Sequence, residues 1–423
     1  MSLVLCLLSI ILVPLAAAGL ALIHQGLGRS RSAAHAMLAT LCVLGISSIV
    51  FVVVGFSWVG SAGGPVHSFV AGARWDWIGA EPFLARSIRF DGSRGSLELC
   101  LQMFAVGLAG MIPISAGTDR WRLAPICFAS ALLAGFTYPL FAHWVWGGGW
   151  LVQLLPNFGI PGFVDAGGAG VVQVVGGLMA LSVAWILGPR RGKYSNEAIA
   201  AAIPGHNIVQ VLFGCLLALV GWIGLDSATS ILFYSAPPER IVAVVINAML
   251  SASAGCLAAV ATTQVRYGKP DASLSANGWI AGLVAGSAGC AFLSPVAVIF
   301  TCAVAGVLVT LMVETFELRL LVDDPGGAIS VHAGAGIWGL FAVGIFGQFP
   351  AGTRGEHILA QLVGVATLLG LMLPLIHTGN LLLNCISPYR VDRDGDWQGM
   401  DIRELGAGAY PEFVVHADEF VPR

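Results

Sequence analysis

A nine-residue phrase occurs twice in this chain, as Asp165-Ala-Gly-Gly-Ala-Gly-Val-Val-Gln173 and as Asp324-Pro-Gly-Gly-Ala-Ile-Ser-Val-His332. Each copy opens an apolar run with an aspartate and a diglycine and places one polar side chain eight residues further on. At a rise of about 1.5 Å per residue, Gln173 and His332 lie about 12 Å into their helices, near the centre of a hydrocarbon layer about 30 Å thick. Transporters built from inverted repeats hold their substrates at that depth. The copies open the fifth and tenth of eleven apolar runs, so the repeat unit has five helices. An odd number of spans per unit forces the two halves into opposite orientations.

The runs cover roughly 2–27, 35–60, 96–117, 123–142, 166–188, 204–230, 241–265, 275–291, 294–315, 325–348 and 357–387. With 57% of 423 residues hydrophobic, 10% charged and a mean hydropathy of +0.86, the chain needs a lipid bilayer around it rather than water. Short alternating segments are absent, which argues against a barrel. The expected fold is an all-α polytopic membrane protein with eleven transmembrane helices, five plus five inverted and one C-terminal. The channel domain is expected over 1–389, with repeats at about 1–188 and 204–348, the extra helix at 357–387 and a cytoplasmic tail at 390–423.

The net charge of −3 says little, but basic residues are unevenly placed. Odd-numbered connections hold Arg29, Arg31, Arg120, Arg122, Arg190, Arg191, Lys193, Arg266, Lys269 and Arg319, whereas the short even-numbered ones hold Arg240 and Arg354. The positive-inside rule puts the N-terminus outside and the tail from Arg390 in the cytoplasm, in a cytoplasmic (inner) membrane. The first run lacks a positive flank, so a cleaved signal peptide is the lesser reading. Nine scattered Cys without a CxxC read as small buried hydrophobes, not a disulfide or metal framework. No metal cluster, phosphate loop or nucleophile-base pair suggests an enzyme or a cofactor, and nothing suggests nucleic acid. The loop from Ser61 to Gly95, with Trp75 and Trp77, reads as an aromatic cap.

Several pieces in fixed order resemble the ammonium transporter family, Amt/Mep/Rh: Gly19 to Ser30, Ala142-His-Trp-Val-Trp-Gly-Gly-Gly-Trp150, and Pro204 to Ile208. Others are Gly221-Trp-Ile-Gly-Leu-Asp-Ser-Ala-Thr229, Gly268-Lys-Pro270, Val322 through Gly334, and Gly399 to Tyr410 in the tail. The resemblance implies a homotrimer with a pore in each subunit. Ammonium would be recognised in an outer vestibule by an aromatic face and a hydroxyl. It would pass two stacked phenylalanines and reach two facing histidines that relay its proton while ammonia moves on.

By this resemblance Trp146 matches the vestibule tryptophan, whose indole face attracts a desolvated cation by about 2 kcal/mol. Thr229 matches the hydroxyl, the alternative being a bond to its own i−4 carbonyl. Asp165 is expected to cap its helix and attract cations, and Asp324 to act as a structural cap. His332 matches one twin histidine, but Gln173 stands in place of the other. An amide can hydrogen-bond ammonia but does not titrate, so net charge movement is expected to be weakened or lost. At the gate, Ala105 occupies the first ring's place, with Phe104 one residue away, and Leu225 replaces the second. His24 replaces the family's usual aromatic and reads as a packed interfacial residue rather than a ligand.

Two functions stay open: ammonium or ammonia transport, and a non-conducting ammonium sensor signalling through its tail to a separate partner such as a PII-type protein. The small gate residues would also admit methylamine or a neutral gas.

Overall fold

The computed structural model describes residues 3–68 and 75–410. Residue 2, positions 69–74 of the expected outer cap and the tail beyond Tyr410 lie outside the described residues. Among the described residues ten helices are long and apolar enough to span a membrane: α1 (Leu3–Leu27), α2 (Ser30–Val59), α3 (Arg94–Gly117), α4 (Leu123–Val145), α5 (Ala169–Leu187), α6 (Ile208–Tyr234), α7 (Pro238–Tyr267), α9 (Pro295–Leu318), α10 (Ile329–Phe346) and α11 (Arg354–Ile386). Between them α8 (Ala272–Ser287) has 16 residues, about 24 Å of helix, with Asp271 as its N-cap accepting from Leu274 N at 2.8 Å. The eleven expected spans are all present. α6 begins later than expected, because residues 204–207 run extended along the end of α1, with His206 N bonded to Gly28 O at 3.1 Å and Asn207 N to Gly26 O at 3.1 Å.

The doubled phrase folds the same way twice. In each copy the second glycine, Gly168 at φ +86° and Gly327 at φ +71°, takes a left-handed conformation that a side chain would strain. The aspartate then reaches over this turn to the first free amides: Asp165 Oδ2 accepts from Gly170 N and Val171 N, each at 2.8 Å, and Asp324 Oδ2 accepts from Ile329 N at 2.7 Å. Both helices start with a π-helical turn, Ala169–Val174 and Ile329–Gly334.

Twelve residues into each copy stands a glycine, Gly177 or Gly336. A Cβ on Gly177 would strike the Ala333 backbone, and one on Gly336 would strike Val174 Cγ2 and Ala169 O. Val174 and Ala333 are themselves equivalent positions, nine into their copies. Each helix therefore packs its later half on the earlier half of the other, and α5 and α10 cross antiparallel at a two-fold related contact.

At one end of the bundle a two-stranded sheet, β1 (Val66–Ser68) and β2 (Asp76–Gly79), lies beside an aromatic cluster. Trp75 stacks on Trp150 at 5.6 Å, and Trp77 lies 5.0 Å from Trp144. Trp144 is buried, with Nε1–H donating to Trp77 O at 2.7 Å, so it anchors the cap.

At the opposite end the odd-numbered connections converge on a buried charge cluster. Arg190 grips Asp323 by Nε to Oδ2 (2.9 Å) and NH2 to Oδ1 (3.0 Å), and Asp119 by NH1 to Oδ2 (3.1 Å). Arg120, fully buried, donates to Asp323 O at 2.8 Å. Burial alone would raise the Asp323 carboxyl, but Arg120 and Arg190 outweigh it and hold it down at about 2.

The tail docks on this end. Asp401 caps the early part of α2, its Oδ1 accepting from His35 N at 2.7 Å, and Glu404 Oε2 accepts from Leu123 N at 2.7 Å, at the start of α4. Burial raises the Glu404 carboxyl, while His35, the Leu123 amide and Arg122 together bring it below the usual range.

Candidate functional site

The antiparallel crossing places the two phrase-ending side chains in contact. His332 Nδ1 lies 2.8 Å from Gln173 Oε1, both residues being at most 2% exposed. An amide oxygen only accepts, so His332 carries its proton on Nδ1 and offers the Nε2 lone pair as its basic site. Gln173 Nε2 is buried without a partner among the described residues. A lone amide donor at this depth costs about 1–3 kcal/mol, a cost that polar passengers in a pore would offset.

The outer residues named from the resemblance are also gathered, but differently from expectation. Trp146 Nε1–H donates to Asp165 O at 3.0 Å, and Asp165 N–H donates to Tyr234 Oη at 2.8 Å. The indole is 3% exposed, and Phe233 stacks on it at 4.6 Å with planes 5° apart. The face expected to meet a cation is therefore covered by a ring that the sequence reading overlooked. Phe233 lies four residues after Thr229 on the same stripe of α6, a spacing that could have flagged it.

Thr229 Oγ1–H donates to Leu225 O (2.8 Å) and Asp226 O (3.1 Å), so its proton is used within the helix and only its lone pairs remain for a passing cation. Asp165 Oδ1 and Asp324 Oδ1 are both buried without partners among the described residues, so neither carboxylate is consumed by capping alone. Ala105 and Leu225 are fully buried, while Phe104 is half-buried and packs on the core from outside, which favours Ala105 as the inward residue of α3.

Two further polar residues were missed. Gln102, one turn before Ala105, is 1% exposed and has neither amide atom partnered among the described residues. Asp226, next to Leu225, is 2% exposed; its Oδ1 is 2.9 Å from Ser287 Oγ, which also accepts from Trp222 Nε1–H at 3.0 Å. A charge inside an apolar run is the signal that would have found it.

His24 packs inside the bundle. It is 4% exposed within the bundle, and its Nδ1 has no partner among the described residues. At the end of the bundle that holds the Arg190–Asp323 cluster, a cavity of about 420 Å³ is lined by Leu27, Asn277, Asp324, Gly327 and Ser330 among others. No group of three or more metal-ligating side chains is gathered among the described residues.

Residues 4–410 match the model of the Ammonium Transporter Family. The chain is 32% identical to ammonium transporter Amt2 of Archaeoglobus fulgidus over 415 residues, covering 94% of this chain and 85% of that one. It is 30% identical to a putative ammonium transporter of Synechocystis over 82% of this chain and 75% of that one. Among solved structures it superposes on a "Sensor Amt Protein" with a TM-score of 0.86 at 26% identity, over 95% of this chain and 97% of that one. Candida albicans Mep2, at 21% identity and a TM-score of 0.80 over 97% of this chain and 90% of that one, shares the fold. A multi-pass helical bundle with the doubled Asp-x-Gly-Gly phrase at its crossing and a family match over nearly its whole length is no enzyme: the chain belongs to the ammonium transporter family.

Proposed function

We propose that this protein conducts ammonium-derived ammonia across the cytoplasmic membrane through a pore in each subunit of a homotrimer, with its N-terminus outside and its tail in the cytoplasm. The observation that carries this reading is the contact between Gln173 and His332. It sets a hydrogen-bonding pair at the crossing of the two repeats, where an apolar core has no structural need of one. Ammonium enters by way of Trp146, Asp165 and the lone pairs of Thr229. Phe233 moves off the indole as the cation arrives, and Ala105 and Leu225 line a passage wider than two phenyl rings would leave. Loss of a proton to His332 Nε2 lets neutral ammonia continue, with Gln173 Nε2 and Oε1 offering one donor and one acceptor.

A sensor reading is favoured by one feature, the tail's insertion beside the inner end of α1: Tyr410 Oη lies 3.2 Å from His206 Nε2 and 3.4 Å from Gln25 Nε2. Ligand-dependent movement there would be read by a cytoplasmic partner, such as a PII-type protein. Proteoliposomes loaded with a pH dye separate the two readings. An outward ammonium gradient should produce protein-dependent proton changes inside, lost in His332→Ala; binding without flux would establish the sensor.

A further inference from the structure

A second imidazole, that of His24, is buried on α1 three residues before the end of that helix. α1 descends toward the inner end, and its Leu27 Cδ1 lies against Gly326, 3.7 Å from where a Cβ would stand. Leu27 and Ser330 both line the inner cavity. His24 is three residues deeper on α1 and His332 two residues deeper on α10, about 4.5 Å and about 3 Å of helix rise beyond that cavity. The two rings thus stand at similar depth behind its inner end.

Their bonding is complementary. Gln173 Oε1 holds His332 in the Nδ1–H form at 2.8 Å, leaving Nε2 basic. His24 is 4% exposed, with Nδ1 unpartnered among the described residues, so a ring lone pair or proton is left uncommitted in the core. A buried polar atom without a partner costs about 1–3 kcal/mol and is kept where it does something. Asp165 and Asp324 are turned to helix-start amides.

We propose that His24 is the second imidazole of this pore and receives the proton that His332 takes from ammonium. An N–H bond of ammonium breaks, its electron pair staying on the ammonia that forms, and the proton bonds to His332 Nε2. The imidazolium then gives that proton to the free ring nitrogen of His24, directly or through one water, and His24 releases it to the inner cavity. The relay lost at position 173 is supplied from α1, and Gln173 becomes the group that fixes the tautomer of His332. This rests on the transport reading, so its test includes a readout that needs no transport.

In proteoliposomes, charge moved per ammonia delivered is the ratio of the supported-membrane current to dye-reported flux. His24→Gln should lower that ratio at least tenfold while ammonia flux persists, and His24→Gln with Gln173→His should restore it. A wild-type ratio in His24→Gln, or wild-type protein that delivers ammonia without charge, would overturn the proposal. Histidine-labelled protein is also titrated by ¹⁵N NMR in detergent, starting with the wild type. His24 and His332 should titrate as a coupled pair, with the His332 midpoint moving in His24→Gln. Independent titration would overturn the proposal even if nothing is transported, whereas coupled titration without flux would uphold the pairing and reject only the transport reading.

Discussion

Removing the Phe233 ring should tighten ammonium binding, although it removes an aromatic contact from the vestibule. Phe233 lies on Trp146 at 4.6 Å with nearly parallel planes, and the indole is 3% exposed. A cation reaching the indole must first break that stack, worth about 0.5–1.5 kcal/mol beyond its buried area. The indole then returns about 0.5–2 kcal/mol to a poorly hydrated cation. Phe233→Ala deletes the first term and keeps the second, so the apparent dissociation constant should fall by roughly 2- to 12-fold, from about 1.4 kcal/mol per tenfold. Ammonium titration followed by tryptophan fluorescence, paired with the half-saturating concentration for methylammonium uptake, measures it. The gain must vanish in Phe233→Ala/Trp146→Leu, where there is no indole face to uncover. Unchanged or weaker affinity in a well-folded Phe233→Ala protein, or a gain that survives in the double variant, would refute the reasoning.

Three other outcomes follow from the fold. Gly177→Val drives a branched side chain into the Ala333 backbone at the crossing of α5 and α10, and should cost several kcal/mol and abolish flux; a thermal scan in detergent checks it. Asp323→Asn leaves Arg120 and Arg190 without their shared carboxylate and should destabilise the protein by about 3–5 kcal/mol at neutral pH. Because the carboxyl is held at about 2, below its ordinary value of about 3.9, its contribution of about 2.6 kcal/mol is present above pH 4. It is lost as pH falls through 2, and about half of it is gone at pH 3, so the gap between wild type and variant should narrow by about 1 kcal/mol in melting scans run from pH 7 to pH 3. Tyr410→Phe removes the hydroxyl that bridges His206 and Gln25, and should speed hydrogen exchange in residues 399–410 with little change in global melting.

The architecture was legible because its cause is local. Spanning length, basic connections and the Asp-x-Gly-Gly phrase each act within about twenty residues, and a left-handed glycine after a capping aspartate folds the same way in Gly168 and Gly327. The pairing of Gln173 with His332 was legible too, since equal offsets in inverted repeats meet at their crossing. The site around it was harder to read, because its contacts cross between helices. Nothing near Trp146 in the sequence says that Phe233 will lie on it, and the neutral appearance of His24 comes from reading α1 without α10. Gln102 and Asp226 are legible as polar side chains within apolar runs, a feature that the mean hydropathy of a run hides.

The most direct test of the central claim is ammonium-driven flux in proteoliposomes of purified protein, wild type against His332→Ala, with melting scans confirming that both are folded. Wild-type vesicles are expected to change internal pH many times faster than empty vesicles, and His332→Ala vesicles to fall close to the empty rate. Wild-type vesicles indistinguishable from empty ones, while the protein still binds ammonium, would contradict a conducting pore.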